Sequence, residues 1–316
     1  MKVLISLGKS FYEIFPDLGT WLKQAGLEVV EQVSSDQEPS KEVIKKLVSD
    51  VDIYIVGVDK IDHEVIDAAP KLKLIIKHGV GYDNIDLDYA KKKGIAVTFA
   101  RGCNAQSVAE LAVALMLSVS RGIPAKNEEI KHGGWSLFMG SELNGKQLGL
   151  VGYGNIGSRV AKIAQAFGME VTAYDPYIES EVLEKAGIKK GSLEEVLSQS
   201  DFISLHAPAT KENENLIRAE TLQLMKSSAY LINTARGALV NEQDLKNAIL
   251  EKRIAGAAMD VFCTEPPEKK LVCLEKIICT PHLGACTVDS ARRLSDISYE
   301  NVMNYVNNRP LKNRLV

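Results

Sequence analysis

Leu148-Gly149-Leu150-Val151-Gly152-Tyr153-Gly154-Asn155-Ile156-Gly157 is the stretch that decides the fold. The apolar run up to Val151 reads as a buried strand. The segment after Gly157 has helical spacing at Val160, Ile163, Ala164 and Phe167. Between strand and helix lies G-x-G-x-x-G. Gly152 permits a tight turn, Gly154 lets backbone approach a pyrophosphate, and Gly157 lets the helix pack on the strand. The helix N-terminus adds free N–H groups and a partial positive charge for phosphates.

Alone, that hexad is a weak signal. A second strand, Glu170 to Tyr174, ends in Asp175, about 18 residues past Gly157, where a carboxylate can hold both ribose hydroxyls. The ordinary alternative is a strand-end aspartate capping the Pro176 turn. With strand, glycines, helix and acid in this order, a dinucleotide is expected. Asp175 would repel a 2′-phosphate and no Arg follows it through Ile178, so NAD is favoured over NADP.

Outward from this unit the pattern repeats. Apolar runs at Lys2–Leu7, Ile53–Val56, Leu72–Ile76, Phe202–Leu205, Tyr230–Asn233 and Ile254–Met259 alternate with longer amphipathic stretches. Such runs read as parallel strands covered on both faces, so the class is α/β. Residues 2–98 hold about five strand–helix units. A long helix is expected from Asn104 to Ser120, then a polar, Gly-rich connection from Lys131 to Lys146. The tail, Asp289 to Asn308, reads as one helix with an apolar face of Ala291, Leu294, Ile297, Val302 and Tyr305. Periodicity leaves open whether that helix crosses back to the first domain.

The 316 residues exceed one typical core, so two domains are expected. A net charge of -3 provides no basic excess for nucleic acid. No apolar run is long enough to span a membrane, and the N-terminus lacks signal-peptide features. Five cysteines, none in C-x-x-C spacing, read as reduced thiols of a cytoplasmic protein, and no metal site is expected.

Three polar residues follow successive strands. Arg236 lies in Asn233-Thr234-Ala235-Arg236-Gly237, Glu265 in Asp260–Pro267, and His282 in Thr280-Pro281-His282-Leu283-Gly284. Singly, these are a surface ion pair, a solvated acid and a turn residue. Together at strand ends they match hydride transfer to a 2-oxo acid. Arg offers a fork for the carboxylate, His a proton near neutrality, and Glu a charge that tunes it.

With these segments, Lys77–Asp86, Asn104–Glu110, His206-Ala207-Pro208 and Met259–Phe262 also match a pattern. The chain resembles the D-isomer-specific 2-hydroxyacid dehydrogenases, in their phosphoglycerate dehydrogenase-like branch, over nearly its full length. The resemblance implies two Rossmann-like parallel-sheet domains, flavodoxin-like and NAD-binding, with the active site in the cleft. It implies a discontinuous substrate domain, 1–98 and 288–316, around an NAD domain, 99–287. It makes Arg236, Glu265 and His282 the catalytic set. It maps cofactor contacts onto Gly152, Gly154, Asn155, Ile156, Gly157, Asp175, His206, Ala207, Pro208, Thr234, Ala235, Arg236, Asp260, His282 and Gly284. Substrate contacts fall on His78, Gly79, Val80, Gly81, Asn104 and Arg236. A homodimer through the cofactor domain is implied, with the helix from Asn104 and the segment around Trp135 at the interface.

The chain departs from the phosphoglycerate branch in three places. Val56-Gly57-Val58-Asp59-Lys60 lacks the arginine that holds the substrate phosphate, Lys77 replaces a second arginine, and His78 replaces a small residue. These changes weigh against 3-phosphoglycerate, with Lys60 and Lys77 as substitute point charges. Glyoxylate and hydroxypyruvate reductases are the alternatives. No C-terminal regulatory domain is expected beyond Val316. Formate dehydrogenases place Gln where Glu265 stands, which disfavours formate. An NAD-binding corepressor shares the site residues but carries extended termini not seen here.

Overall fold

The computed structural model describes residues 1–34 and 39–316, apart from the side chain of Ser34. The chain forms two compact units, Met1–Asn104 with Ala285–Val316, and Ala105–Gly284. The limits fall at 104/105 and 284/285, where the sequence suggested 98/99 and 287/288. The reason is local bonding. Ala100 N–H donates to Gly79 O and Arg293 Nε donates to Cys103 O (2.7 Å), which ties the 100–104 turn to the first unit. Gly284 N–H donates to Asp260 (2.9 Å) and stays with the second.

The first unit is a five-stranded sheet of β1 (Lys2–Gly8), β2 (Glu28–Ser34), β3 (Ile53–Val56), β4 (Leu74–Lys77) and β5 (Ala96–Phe99). The order is β2-β1-β3-β4-β5, with every pair parallel. This is the flavodoxin-type doubly wound order. Core strands β3 and β4 are buried throughout, because helices cover both faces. Strands β2 and β5 were not singled out by the sequence. Strand β2 lies at the edge, and its two glutamates and glutamine break the apolar run.

The helix Val288–Val306 packs on this sheet, with Val302 among Val3, Ile5, Leu22 and Ile76. Its buried face is more polar than its periodicity suggested. Ser290, Ser295, Ser298 and Asn301 are buried beside Ala291, Leu294 and Val302. Asn301 explains its own position. Its Oδ1 accepts from Lys312 N–H (2.8 Å) and its Nδ2 donates to Lys312 O (3.2 Å). That anchors the final segment along β5, where Leu315 N–H donates to Val97 O (2.8 Å) and Val97 N–H to Val316 O.

The second unit holds β6 (Gln147–Val151), β7 (Glu170–Tyr174), β8 (Lys189–Lys190), β9 (Phe202–Leu205), β10 (Tyr230–Asn233), β11 (Gly256–Met259) and β12 (Ile277–Cys279). The order is β12-β11-β10-β9-β6-β7-β8, again all parallel. The direction of winding reverses between β6 and β9. Ligands bind outside the carboxyl ends of strands at such a switch point. The helix Ala105–Arg121 buries Ala109, Ala112, Val113 and Met116 against Leu148, Leu150 and Ile232. Among the described residues, no single helix is long and apolar enough to cross a membrane.

Asn301→Ala is expected to strip Lys312 N–H of its buried partner and to lower stability by about 1–3 kcal/mol. Amide exchange at Lys312 and Leu315 should accelerate well beyond that of β3. Unchanged protection at both amides would show that Asn301 does not hold the segment.

Candidate active site

The phosphate loop follows β6 as the glycine pattern requires. Gly152 has φ +96° and its N–H donates to Tyr174 O (2.9 Å). A Cβ there would lie 2.8 Å from the His206 and Ala207 backbone, so only glycine lets the two crossovers pass. A Cβ on Gly154 would meet nothing within 4 Å, so that backbone faces open space. The helix Gly157–Ala166 starts directly behind it.

Asp175 caps its own turn and also holds the glycine loop. One carboxylate oxygen accepts from Tyr153 N–H of the glycine loop (2.8 Å), and the other from Tyr177 N–H of its own turn (2.9 Å). It fixes the loop to β7 and remains half-buried. His206 N–H donates to Val151 O (2.7 Å), its Nε2 lies 2.9 Å from Ser204 Oγ, and burial pushes its pKa down to about 3. Its Nδ1 and the Thr234 hydroxyl are buried polar atoms without a hydrogen-bond partner among the described residues. Ala207 and Pro208 continue this turn, and Pro208 O accepts from Asn213 Nδ2 (2.6 Å). The open cradle at Gly154 with these polar atoms suits a dinucleotide.

The three expected catalytic residues all lie on the second unit. Asn233, fully buried at the end of β10, accepts Ala235 N–H (3.0 Å) and donates to Arg236 O (2.9 Å), which folds the turn that carries Arg236. Gly237 follows. A Cβ there would sit 2.0 Å from Phe262 C, so glycine is what lets the Arg236 turn lie against the 262–263 backbone. Cys263 N–H donates to Glu242 Oε1 (2.7 Å), and Phe262 N–H to Glu265 Oε1 (3.1 Å). His282 Nδ1 is 2.9 Å from Glu265 Oε2.

Asp260 and Gly284, expected as cofactor contacts, have a structural part. Asp260 is 1% exposed. Its carboxylate accepts from Thr280 Oγ1 (2.6 Å), Leu283 N–H (2.7 Å) and Gly284 N–H (2.9 Å), and its backbone O accepts from His282 N–H (2.9 Å). It clamps the 280–284 loop, in which His282 has φ +54°. Gly284 packs tightly, since a Cβ would be 3.2 Å from Asp260 and from Val108. Asn233 and Asp260 thus position the site. Each sits where a strand ends and a predicted catalytic loop begins, which is the signal that could have found them.

In the first unit, His78, expected as a substrate contact, is buried at the end of β4. Its N–H donates to Val56 O (2.8 Å), its Nδ1 lies 2.9 Å from Ser298 Oγ, and its ring packs edge-on against Phe11. Burial, with Lys77 adding to it, pushes its pKa to about 3. Its ring lies in the core, with Nε2 buried and without a hydrogen-bond partner among the described residues. Val80 and Gly81 N–H have no backbone partner among the described residues, and Gly79 O accepts from Ala100 N–H. Asn104 Oδ1 is likewise buried without a partner there.

The electrostatics favour an ionised pair. The hydrogen bond and charge of Glu265 raise the His282 pKa above its ordinary value, against burial and Arg236. Burial alone would raise the Glu265 carboxyl, but His282, Phe262 N–H and Arg236 outweigh it and hold it low. A raised His pKa gives stability present below about 6.5 and lost as pH rises through the folded value. A lowered Glu pKa gives stability present above about 4.3 and lost as pH falls through its folded value. The pair therefore supports the loops most between those limits, and solvent screening keeps the gain modest because both side chains are partly exposed. Histidine NMR titration should place His282 above about 6.5 in the wild type and lower in Glu265→Gln. Identical titration curves would remove Glu265 as the cause.

Residues 113–284 match the family model described as D-isomer specific 2-hydroxyacid dehydrogenase, NAD binding domain. The chain is 41% identical over 281 residues to a D-3-phosphoglycerate dehydrogenase of Methanocaldococcus jannaschii, covering 87% of this chain but 54% of that protein, so it spans little more than half of that relative's length. It is 40% identical over 261 residues to a hydroxypyruvate reductase of Thermotoga maritima, covering 80% of this chain and 84% of the relative. Among solved structures it is similar to D-lactate dehydrogenase from Aquifex aeolicus, complexed with NAD and lactic acid. That match has a TM-score of 0.84 and 34% identity, and covers 97% of this chain and 96% of the other. Sequence, sheet order and site geometry agree, and the chain belongs to the D-isomer specific 2-hydroxyacid dehydrogenase family.

Proposed function

We propose that this protein interconverts a D-2-hydroxy acid and the corresponding 2-oxo acid with NAD. The observation that carries the reading is the Glu265–His282 hydrogen bond of 2.9 Å, on loops held by Asp260 and Gly237 beside Arg236. The Gly152–Gly157 loop and its helix N-terminus would take the pyrophosphate, and Asp175 the ribose hydroxyls, which disfavours NADP. Bound nicotinamide supplies the hydride in reduction and accepts it in oxidation.

The chain's own residues do the rest. Arg236 presents a planar fork to the substrate carboxylate. His282, with Nδ1 turned to Glu265, would give a proton from Nε2 to the carbonyl oxygen in reduction. In oxidation the same nitrogen takes the hydroxyl proton, so His282 must then be neutral. Glu265 remains ionised and stabilises the imidazolium.

A homodimer is part of this reading. Trp135, Leu137 and Met139 are 87%, 90% and 92% exposed within one short segment of the second unit. Large apolar side chains so exposed mark an association surface, and a second copy is the simplest self-complementary occupant. The five free thiols fit a reducing compartment.

The assay is keto-acid reduction with NADH and with NADPH, and hydroxy-acid oxidation with NAD, each as kcat/KM against pH. In Glu265→Gln the upper limb of the reduction profile should move to lower pH, and oxidation should extend to lower pH. Unmoved profiles in both directions would sink the proton relay, and equal use of NADPH would remove Asp175 as the selector. Sedimentation should give twice the 34.6 kDa chain mass, with Trp135→Ser/Leu137→Ser falling to one copy. A dimer that survives the double substitution would place the interface elsewhere.

A further inference from the structure

Lys77 stands where the phosphoglycerate branch carries an arginine, and its surroundings decide what it does. The register sets Ser6, Val56 and Lys77 side by side at the carboxyl ends of β1, β3 and β4, so their side chains share one face of the sheet. Lys77 is 9% exposed. Its Nζ donates to Gly57 O and to Asn84 Oδ1 (3.0 Å). Asn84 Nδ2 in turn donates to Asp59 O (2.7 Å) and Gly57 O (3.3 Å). Asp59 is 1% exposed, and its carboxylate accepts the Tyr54 hydroxyl. Backbone bonds close the same junction: Ile61 N–H donates to Asn84 O (2.8 Å) and Asp86 N–H to Ile61 O (2.9 Å). The Lys77 stem also lies under the next loop, since a Cβ on Gly79 would be 3.1 Å from its Cε.

We infer that Lys77 is a positioning residue that clamps the 57–61 loop to the 79–86 segment, and that the enzyme therefore prefers 2-oxo acids with an uncharged substituent over those carrying a phosphate ester. The inference rests on the oxidoreductase reading above. Its physical basis is that Lys77 Nζ donates within one buried, hydrogen-bonded cluster built from Gly57, Asp59 and Asn84. Turning Nζ toward a ligand phosphate would leave Gly57 O and Asn84 Oδ1 buried without this donor. Buried as it is, the lysine orders the start of the Gly79-Val80-Gly81 loop rather than meeting a dianion.

The test compares glyoxylate, hydroxypyruvate and 3-phosphohydroxypyruvate as oxidants of NADH. The last two differ only by the phosphate. Wild-type kcat/KM for the ester should be at least about 100-fold below that for hydroxypyruvate. In Lys77→Gln, KM for both unphosphorylated acids should rise together, about tenfold, with kcat little changed and the preference against the ester intact. Asn84→Ala should do the same while leaving the charge in place, which covers the case in which Lys77→Gln does not fold. Ester turnover equal to that of hydroxypyruvate would overturn the inference and leave the oxidoreductase reading standing. So would a selective loss of ester turnover in Lys77→Gln or Lys60→Ala. Failure to reduce any of the three acids would remove the reading itself, and this inference with it.

Discussion

The site depends on one buried carboxylate. Asp260, directly after β11, gathers Thr280, Leu283 and Gly284 around its two oxygens. These bonds hold the left-handed turn at His282, an unfavourable conformation for a residue with a Cβ. The interaction matters because the acceptor is nearly sealed from water and satisfies two loop N–H groups at once. His282 therefore sits on a rigid scaffold even though its ring is about half exposed.

The second constraint is steric. Gly237 brings the Arg236 turn against Phe262, and Asn233 fixes that turn from the strand side. The result places a cation close enough to act on both members of the Glu265–His282 pair, lowering each pKa. Arg236 opposes the protonation that Glu265 promotes. The balance leaves His282 raised, able to carry a proton and still able to release it. That is the condition a reversible acid–base group has to meet.

The fold was largely legible in the sequence. Continuous apolar strands, the glycine hexad after β6 and an acid after β7 specify a parallel sheet with a nucleotide loop, because each of these signals is local. The departures came where distant partners set the environment. Edge strands β2 and β8 are too polar or too short to stand out. Ser298 and Asn301 fall outside the apolar face of the last helix, yet both are buried. Helical periodicity cannot reveal their partners. His78 is remote in the chain, and Lys312 is brought back to Asn301 only by the turn after the helix.

By itself the sequence determined the α/β class and the glycine loop after β6, and it singled out Arg236, Glu265 and His282 as polar residues past successive strands, since strand ends and their loops can be read one segment at a time. Only the tertiary structure decided that Asp260 and Gly284 hold a loop, that His78 belongs to the core, and that Lys77 is tied to Gly57 and Asn84. The physical reason is common to all of these. Whether a polar side chain meets a ligand or a neighbour depends on which donors and acceptors surround it in space, and in a parallel sheet those come from strands and turns far apart in the chain.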